Sequence, residues 1–345
     1  MKNLSVHFVE PYRVEPREEP VPIMASDQVL VKTICSAISP GTEMLVYRGQ
    51  WPANLAIDES IPALGGTFSY PLKYGYACVG EIVETGASVS REWLGKSVFS
   101  FNPHESYFTA KPEHLISLPE SLNPEEAAFI PNMETAVSFL MDGKPLIGER
   151  VVVIGQGVVG LLTAGLLAKL PLGLLLSLDN FPLRREKSRG MGARSLDPAD
   201  GHTLPEIQDL LGLNGLQGGA DLVYELSGNP KALDTAIALT GLGGRIVVGS
   251  WYGEKKAELD LGGRFHRARI KLISSQVSTM APEFTGLWTK ARRLTTAIAA
   301  LSTVRPAELI THRFKIDRAA EAYEILDKHP EQAVQVILEY GGNYA

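Results

Sequence analysis

The sequence predicts an α/β chain in two parts, a β-rich barrel-like unit and a doubly wound parallel sheet. Three observations predict it. Up to about residue 130, short alternating apolar runs are separated by Gly and Pro, the spacing of a small all-β barrel. From about Asn132, apolar strand-length runs alternate with helix-length segments, as in a parallel sheet covered on both faces. Near the start of that second region, Val151-Val152-Val153-Ile154 leads directly into Gly155-x-Gly157-x-x-Gly160 and a small-residue apolar helix.

In the first region, Gln28–Ile34 and Ala77–Val83 read as strands, the second ending in a Thr85-Gly86 turn, and Val98–Phe101 and Ser106–Thr109 follow. In the second region, strands are expected at Leu222–Leu226, Arg245–Val248 and Ile270–Ile273. A helix spans Lys231–Leu239 and is stopped by Gly241 and Gly243-Gly244. The polar stretch Asp197–Glu206 reads as a surface loop. The tail from about Pro282 is mixed, with an amphipathic Arg318–Asp327 and a closing strand at Ala333–Leu338. That tail is expected to complete the first part. The domains are then 1–131 with 276–345, and an inserted 132–275.

Composition narrows the function. A length of 345 residues suggests about two domains, and 45% apolar residues suffice for two cores. A formal charge of −6 gives no reason to expect a nucleic-acid partner. Cys35 and Cys78 cannot build a disulfide framework, which fits a reducing compartment. Val151–Ala168 carries no charge over 18 residues, but its three glycines at turn spacing, Gln156 and nearby Pro171 argue against a membrane span. The start, MKNLSVHFVE, has no apolar core of signal-peptide length. A soluble cytoplasmic protein without a membrane partner is expected.

Each part of the glycine-rich stretch has a task in binding a dinucleotide, in what would be a Rossmann sheet. Gly155 permits the tight turn, Gly157 lets a pyrophosphate approach the backbone, and Gly160 lets the helix pack close to the strand. The helix start, with Gln156, Val158 and Val159, offers free N–H groups and a positive dipole end. Asp179 lies 19 residues past Gly160, where a carboxylate accepts hydrogen bonds from ribose hydroxyls. The plain alternative for Asp179 is a strand-end surface acid. The carboxylate favours NAD(H), since it repels a 2′-phosphate; with Asn180 beside it, Arg184 and Arg185 keep NADP(H) open. Ser227, Gly249, Ser250 and Trp251 follow later strands, at the carboxyl ends where ligands bind in such sheets.

Further motifs stand in order along the chain: Gly41-Thr42-Glu43, Gly80–Gly86, Gly148–Val153, Gly243–Val247, Leu309–Phe314 and Ala319–Glu324. With these, the whole chain resembles the medium-chain dehydrogenase/reductase superfamily, the zinc-type alcohol dehydrogenase-like fold. The resemblance implies a GroES-like catalytic domain split around a Rossmann domain, a small-molecule substrate between the two, and a homodimer joined through the nucleotide-binding sheet. It also implies that Ser274, Ser275 and Gln276 lie along the nicotinamide. The chain departs from the zinc-dependent pattern where relatives carry metal ligands. Pro40 stands for the cysteine, Gly75-Tyr76-Ala77 replaces Gly-His-Glu, and Pro131-Asn132 supplies no third ligand. A catalytic zinc needs three protein ligands and an open position, so no metal is expected. Ser36–Glu43 and Tyr70–Tyr76 most resemble a zinc-less subgroup that includes the dehydrogenase acting on bacteriochlorophyllide a; that substrate is not carried over.

The catalytic candidates are Thr42, Tyr76, His104, Glu43 and Glu134. Thr42 falls where relatives keep a proton-relaying hydroxyl, and Tyr76 replaces a metal ligand. His104 is expected on a loop lining the substrate site, with acid/base chemistry weighed against a merely solvated histidine. Glu43 and Glu134 lie near the former metal position as acids, or as structural groups bonded to Arg48 or to backbone. His266 and His312 are expected to be structural. The leading function is a zinc-independent, NAD(H)-preferring oxidoreductase interconverting a secondary alcohol and a ketone or aldehyde by hydride transfer. The alternatives are an NADPH-dependent enoyl or quinone reductase and a non-catalytic nicotinamide-binding protein.

Overall fold

The computed structural model describes residues 2–52, 68–201 and 203–341. The chain forms two compact units, Met1–Pro131 with Arg305–Ala345, and Asn132–Val304. It is α/β, with one mixed sheet system and one parallel sheet of the Rossmann type.

The second unit is built on a six-stranded parallel sheet. Its spatial order is Arg194–Leu196, Leu174–Leu178, Arg150–Ile154, Ala220–Glu225, Thr240–Val248 and Lys271–Ser274. Side chains of a strand point alternately to its two faces. Val151 and Val153 therefore join Leu222, Tyr224 and Val247 in one buried cluster. Val152 and Ile154 join Leu176, Leu178, Val223 and Ile246 in the other. Burial on both faces explains why these strands are continuous apolar runs rather than alternating ones.

The helix Lys231–Leu239 has the expected bounds, but Gly241 and Gly243-Gly244 lie inside the following strand, Thr240–Val248. The polar stretch at 197–206 is only partly a loop. The helix Thr203–Leu211 begins within it, because Ile207 and Leu211, four residues apart, are both buried. Of the two strands expected near the sheet's edge, Lys271–Ser274 is the edge strand and Thr240–Val248 lies inside it. Residues 276–304, read from the sequence as the start of the tail, group with the second unit. The helix Lys290–Val304 buries Arg293, Ala297, Leu301 and Val304. A Cβ at Gly165 would stand 2.9 Å from a Val304 methyl, so a larger residue there would require the Val304 side chain or the helix to shift.

The first unit holds a seven-stranded sheet, in which Val29–Ile38 pairs with Cys78–Thr85, Tyr107–Ala110 and the late strand Gln335–Glu339. A smaller three-stranded sheet sets Lys2–Glu10 between Arg13–Pro20 and Leu72–Lys73. Phe8, Tyr47, Tyr74 and Tyr323 meet in a buried aromatic cluster of edge-on and stacked contacts, with centroids 5.1 to 6.4 Å apart. Both cysteines are buried and free, and burial pushes the Cys78 thiol up to about 12. Such a thiol has almost no thiolate to react near neutral pH. No helix of the described residues is long and apolar enough to cross a membrane.

Candidate functional site

The glycine turn has the geometry its residues predict. Gly155 adopts φ +90°, and a Cβ there would lie 2.5 Å from the Ser227 backbone. A Cβ on Gly160 would lie 2.0 Å from the Gly155 carbonyl oxygen, so the helix could not approach the strand with any larger residue. Gly157, at the start of the helix Val158–Leu167, faces open space instead. Val158 is buried and Val159 half-buried. Gln156 is fully buried; its side-chain N–H groups donate to the Val153 and Gly155 carbonyls, while its Oε1 accepts no hydrogen bond.

Asp179 ends the neighbouring strand and is bound to the turn. Its Oδ2 accepts the Gln156 N–H at 2.7 Å and its Oδ1 accepts the Phe181 N–H at 2.8 Å. Each carboxylate oxygen keeps lone-pair capacity for a ribose hydroxyl. The open space at Gly157 and the free helix start suit a pyrophosphate, so these residues fit a dinucleotide. Asn180 is exposed. The Arg184 guanidinium lies 4.7 Å over the Phe181 ring, and burial lowers its pKa against the pull of Asp179. Arg185 is used structurally. It donates to the Asp179 and Asn180 carbonyls and pairs with Asp197 at 2.8 Å.

At the other strand ends, Ser227 is exposed and Ser250 Oγ accepts the Gly228 N–H at 2.8 Å, joining two loops. Gly249 packs against Phe139, and Trp251 is exposed. Ser274 and Gln276 are exposed, whereas the buried Ser275 gives its hydroxyl to Asp142 at 2.5 Å. Gln276 is folded back on Ser278 and Thr279. Glu134, expected as an acid near the former metal position, is instead held by buried Arg293 at 3.0 Å. That guanidinium also donates to the Val277 and Thr279 carbonyls, fixing the loop that follows the edge strand.

In the first unit, Glu43 and His104 meet with no solvent access. His104 Nε2 donates to Glu43 Oε2 at 2.9 Å, and its Nδ1 is 2.7 Å from Ser36 Oγ, itself bonded to Tyr340. Glu43 also accepts the Ser39 N–H at 2.8 Å and the Tyr323 hydroxyl at 2.6 Å. Burial, with Glu43 alongside, raises the Tyr323 pKa well above its ordinary value. The alternative of a merely solvated loop histidine at His104 is therefore corrected. The imidazole is sealed in a polar core, packed so closely on Gly75 that a Cβ there would lie 2.7 Å away. Removing one partner would strand a buried charge, which makes this network a structural hub. Glu43 bonds backbone as expected, but Arg48 pairs with Asp327 rather than with Glu43.

Tyr76 is half-buried and donates to Ser39 Oγ at 2.6 Å, and Thr42 opens the helix Thr42–Tyr47. The zinc implied by the family pattern does not fit this donor set. Both ring nitrogens of His104 and both oxygens of Glu43 are engaged within the fold, and Pro40, Tyr76 and Ala77 stand where the family pattern carries metal ligands. His312 stacks near Phe314, and burial lowers its pKa. Sequence reading missed Ser36, Tyr323 and Tyr340, which have no local signature. It also missed Glu225, a charged end to an otherwise apolar strand and thus a detectable signal.

No family model matches the chain. Sorbitol dehydrogenase 1 of Saccharomyces cerevisiae is 25% identical over 302 residues, covering 78% of this chain and 82% of the yeast protein. An alcohol dehydrogenase of Escherichia coli CFT073, solved with NADH, superposes with a TM-score of 0.79 at 19% identity, over 98% of this chain and 99% of the other. A zinc-binding-type dehydrogenase of Sinorhizobium meliloti 1021, solved with NADP, gives 0.78 at 18% identity, over 98% and 99%. These relatives and neighbours are zinc-type alcohol dehydrogenase-like members of the medium-chain superfamily, and this chain has their fold. The relatives are dehydrogenases, and the chain is an enzyme of that class.

The two glycines that bracket the turn should respond differently. Gly157→Ala should cost less than about 1 kcal/mol in thermal unfolding while weakening NADH binding about tenfold or more, because its Cβ enters the space a pyrophosphate needs. Gly160→Ala should destabilise the fold by about 1–3 kcal/mol, since its Cβ meets backbone.

Proposed function

We propose that the chain interconverts a secondary alcohol and a ketone or aldehyde by hydride transfer, prefers NAD(H), and works without zinc. The observation that carries this reading is the Gly155–Gly160 turn with the Asp179 carboxylate bonded to its Gln156 N–H. A bound nicotinamide supplies the hydride chemistry. The residues of this chain bind it, exclude water and handle a proton. Reducing a carbonyl develops negative charge on oxygen, which hydrogen-bond donors must stabilise where a metal does not. Tyr76 and Thr42 are the donors assigned here; the Tyr76 hydroxyl, given to Ser39 Oγ in the free protein, turns to the substrate oxygen when substrate binds. His104, Glu43 and Glu134 keep supporting roles in this reading, because their polar atoms are engaged inside the fold. The likeness of Ser36–Glu43 and Tyr70–Tyr76 to a zinc-less subgroup supports the same view. Two buried, free cysteines fit the cytoplasm.

Arg184 beside Asp179 favours a second reading, an NADPH-dependent enoyl or quinone reductase, and the cofactor decides between them. Fluorescence titration should show NADH binding about tenfold tighter than NADPH, the worth of one charge-assisted hydrogen bond. Asp179→Ala should narrow the gap. Tighter NADPH binding in the native protein would favour the second reading.

For the metal, elemental analysis after dialysis against a chelator should find no stoichiometric zinc, and activity should survive the treatment. Tyr76→Phe should lower turnover by about 10²-fold with NADH affinity unchanged. Zinc retained at one per chain would overturn the proposal.

We further propose a homodimer through the nucleotide-binding sheet. Lys271–Ser274 is its edge strand, and Leu272 on it is 39% exposed, an unpaired edge of the kind that invites pairing. Light scattering at micromolar concentration should give twice the chain mass, and Leu272→Lys should halve it.

A further inference from the structure

We propose that Glu225 is a specificity-determining residue for the redox form of the cofactor, a buried anion that favours the cationic oxidised nicotinamide over the neutral reduced one. The inference rests on the dinucleotide-binding reading above. Glu225 ends the strand Ala220–Glu225 and is fully buried. Its Oε1 accepts the Ser227 N–H at 2.9 Å and the Ser227 hydroxyl at 2.5 Å, and its Oε2 accepts the Tyr252 hydroxyl. Ser227 Oγ accepts the Asn229 N–H at 3.1 Å, and its own proton has the Glu225 carboxylate at 2.5 Å as a much nearer acceptor than the Asn229 carbonyl at 3.5 Å. Donors converging on both oxygens are what a carboxylate anion requires. Among the described residues, no Lys, Arg or His forms an ion pair with it.

Its place in the sheet gives the charge a target. Asp179 ends the strand on one side of Arg150–Ile154, and Glu225 ends the strand on the other, opposite Ile154 in register. With the adenosine ribose at Asp179 and the pyrophosphate at Gly155–Gly160, the second nucleotide extends over the ends of Ala220–Glu225, Thr240–Val248 and Lys271–Ser274. Glu225 also organises that half. Its carbonyl oxygen accepts the Gly249 and Ser250 N–H groups, and Ser250 Oγ in turn accepts the Gly228 N–H. Adenosine and pyrophosphate are the same in both redox forms, so their interactions with Glu225 cancel in the ratio of affinities. Only the ring charge remains, and between buried groups salt screens it weakly.

Calorimetric titration of NAD+, NADH and ADP-ribose with the full chain tests this. Glu225→Gln should lower the ratio of NAD+ to NADH affinity by about tenfold and leave ADP-ribose binding unchanged. Tyr252→Phe removes a hydrogen bond but not the charge, and should leave the ratio within about twofold of the native value. Ser227→Lys, at an exposed position beside the carboxylate, should lower the ratio as Glu225→Gln does, and serves if the glutamine variant does not fold. Equal weakening of NAD+ and NADH by Glu225→Gln would make Glu225 merely structural and overturn the proposal. So would a ratio moved as far by Tyr252→Phe. If the native protein binds ADP-ribose but neither nicotinamide form, the inference alone fails; if it binds none of the three, the dinucleotide reading fails and takes the inference with it.

Discussion

The second unit depends on one residue having no side chain. At Gly155 the backbone turns through φ +90°, and the space where a Cβ would stand is filled by the Ser227 backbone. The Gly155 N–H donates to the Leu178 carbonyl, so the strand is still bound to its neighbour as it turns away. Three strand ends therefore converge where only a hydrogen atom fits. The Gln156 N–H then points at Asp179, and the helix start is left facing the edge of the sheet. A larger residue at 155 would displace the Ser227 loop and the Asp179 contact together.

The first unit has no such turn and is organised around buried polarity. Glu43 binds the Ser39 backbone, His104 and Tyr323, drawing three separate segments to one carboxylate. Each contact is satisfied, and that is the condition under which burying charge in an apolar core is tolerable. Ser39 also accepts the Tyr76 hydroxyl, so the same hub sets the orientation of a proposed donor.

What could be read from the sequence follows from the range of each interaction. The glycine turn and the helix Lys231–Leu239 were legible because backbone geometry and helical period act over a few residues. The strand Arg13–Pro20 was not. It carries Pro16 and Pro20 among Glu and Arg, a composition tolerated only because the strand lies at a sheet edge. His104 looked like a loop histidine because its partner Glu43 lies 61 residues away, and Tyr323 reaches Glu43 across 280. No local pattern encodes such a pairing. Glu225 was visible as a charge at a strand end, but its partner Tyr252 sits 27 residues on, on the next loop of the sheet.

The pairing of Gln335–Glu339 with Val29–Ile38 has a consequence for how the protein is made. A chain leaving the ribosome exposes its first strands long before residues 310–339 exist. During that interval the Ser36 hydroxyl lacks Tyr340, the Glu43 carboxylate lacks Tyr323, and the Cys35–Ile38 end of the Val29–Ile38 strand lacks its late neighbour. The inserted unit, whose sheet contacts are all internal to it, has everything it needs by residue 304. The middle of the chain can therefore settle while the first unit still waits for its last strand. The cost of joining the ends grows only slowly with the length between them. The exposed early strands are the price, and they are where a stalled or truncated chain would begin to aggregate.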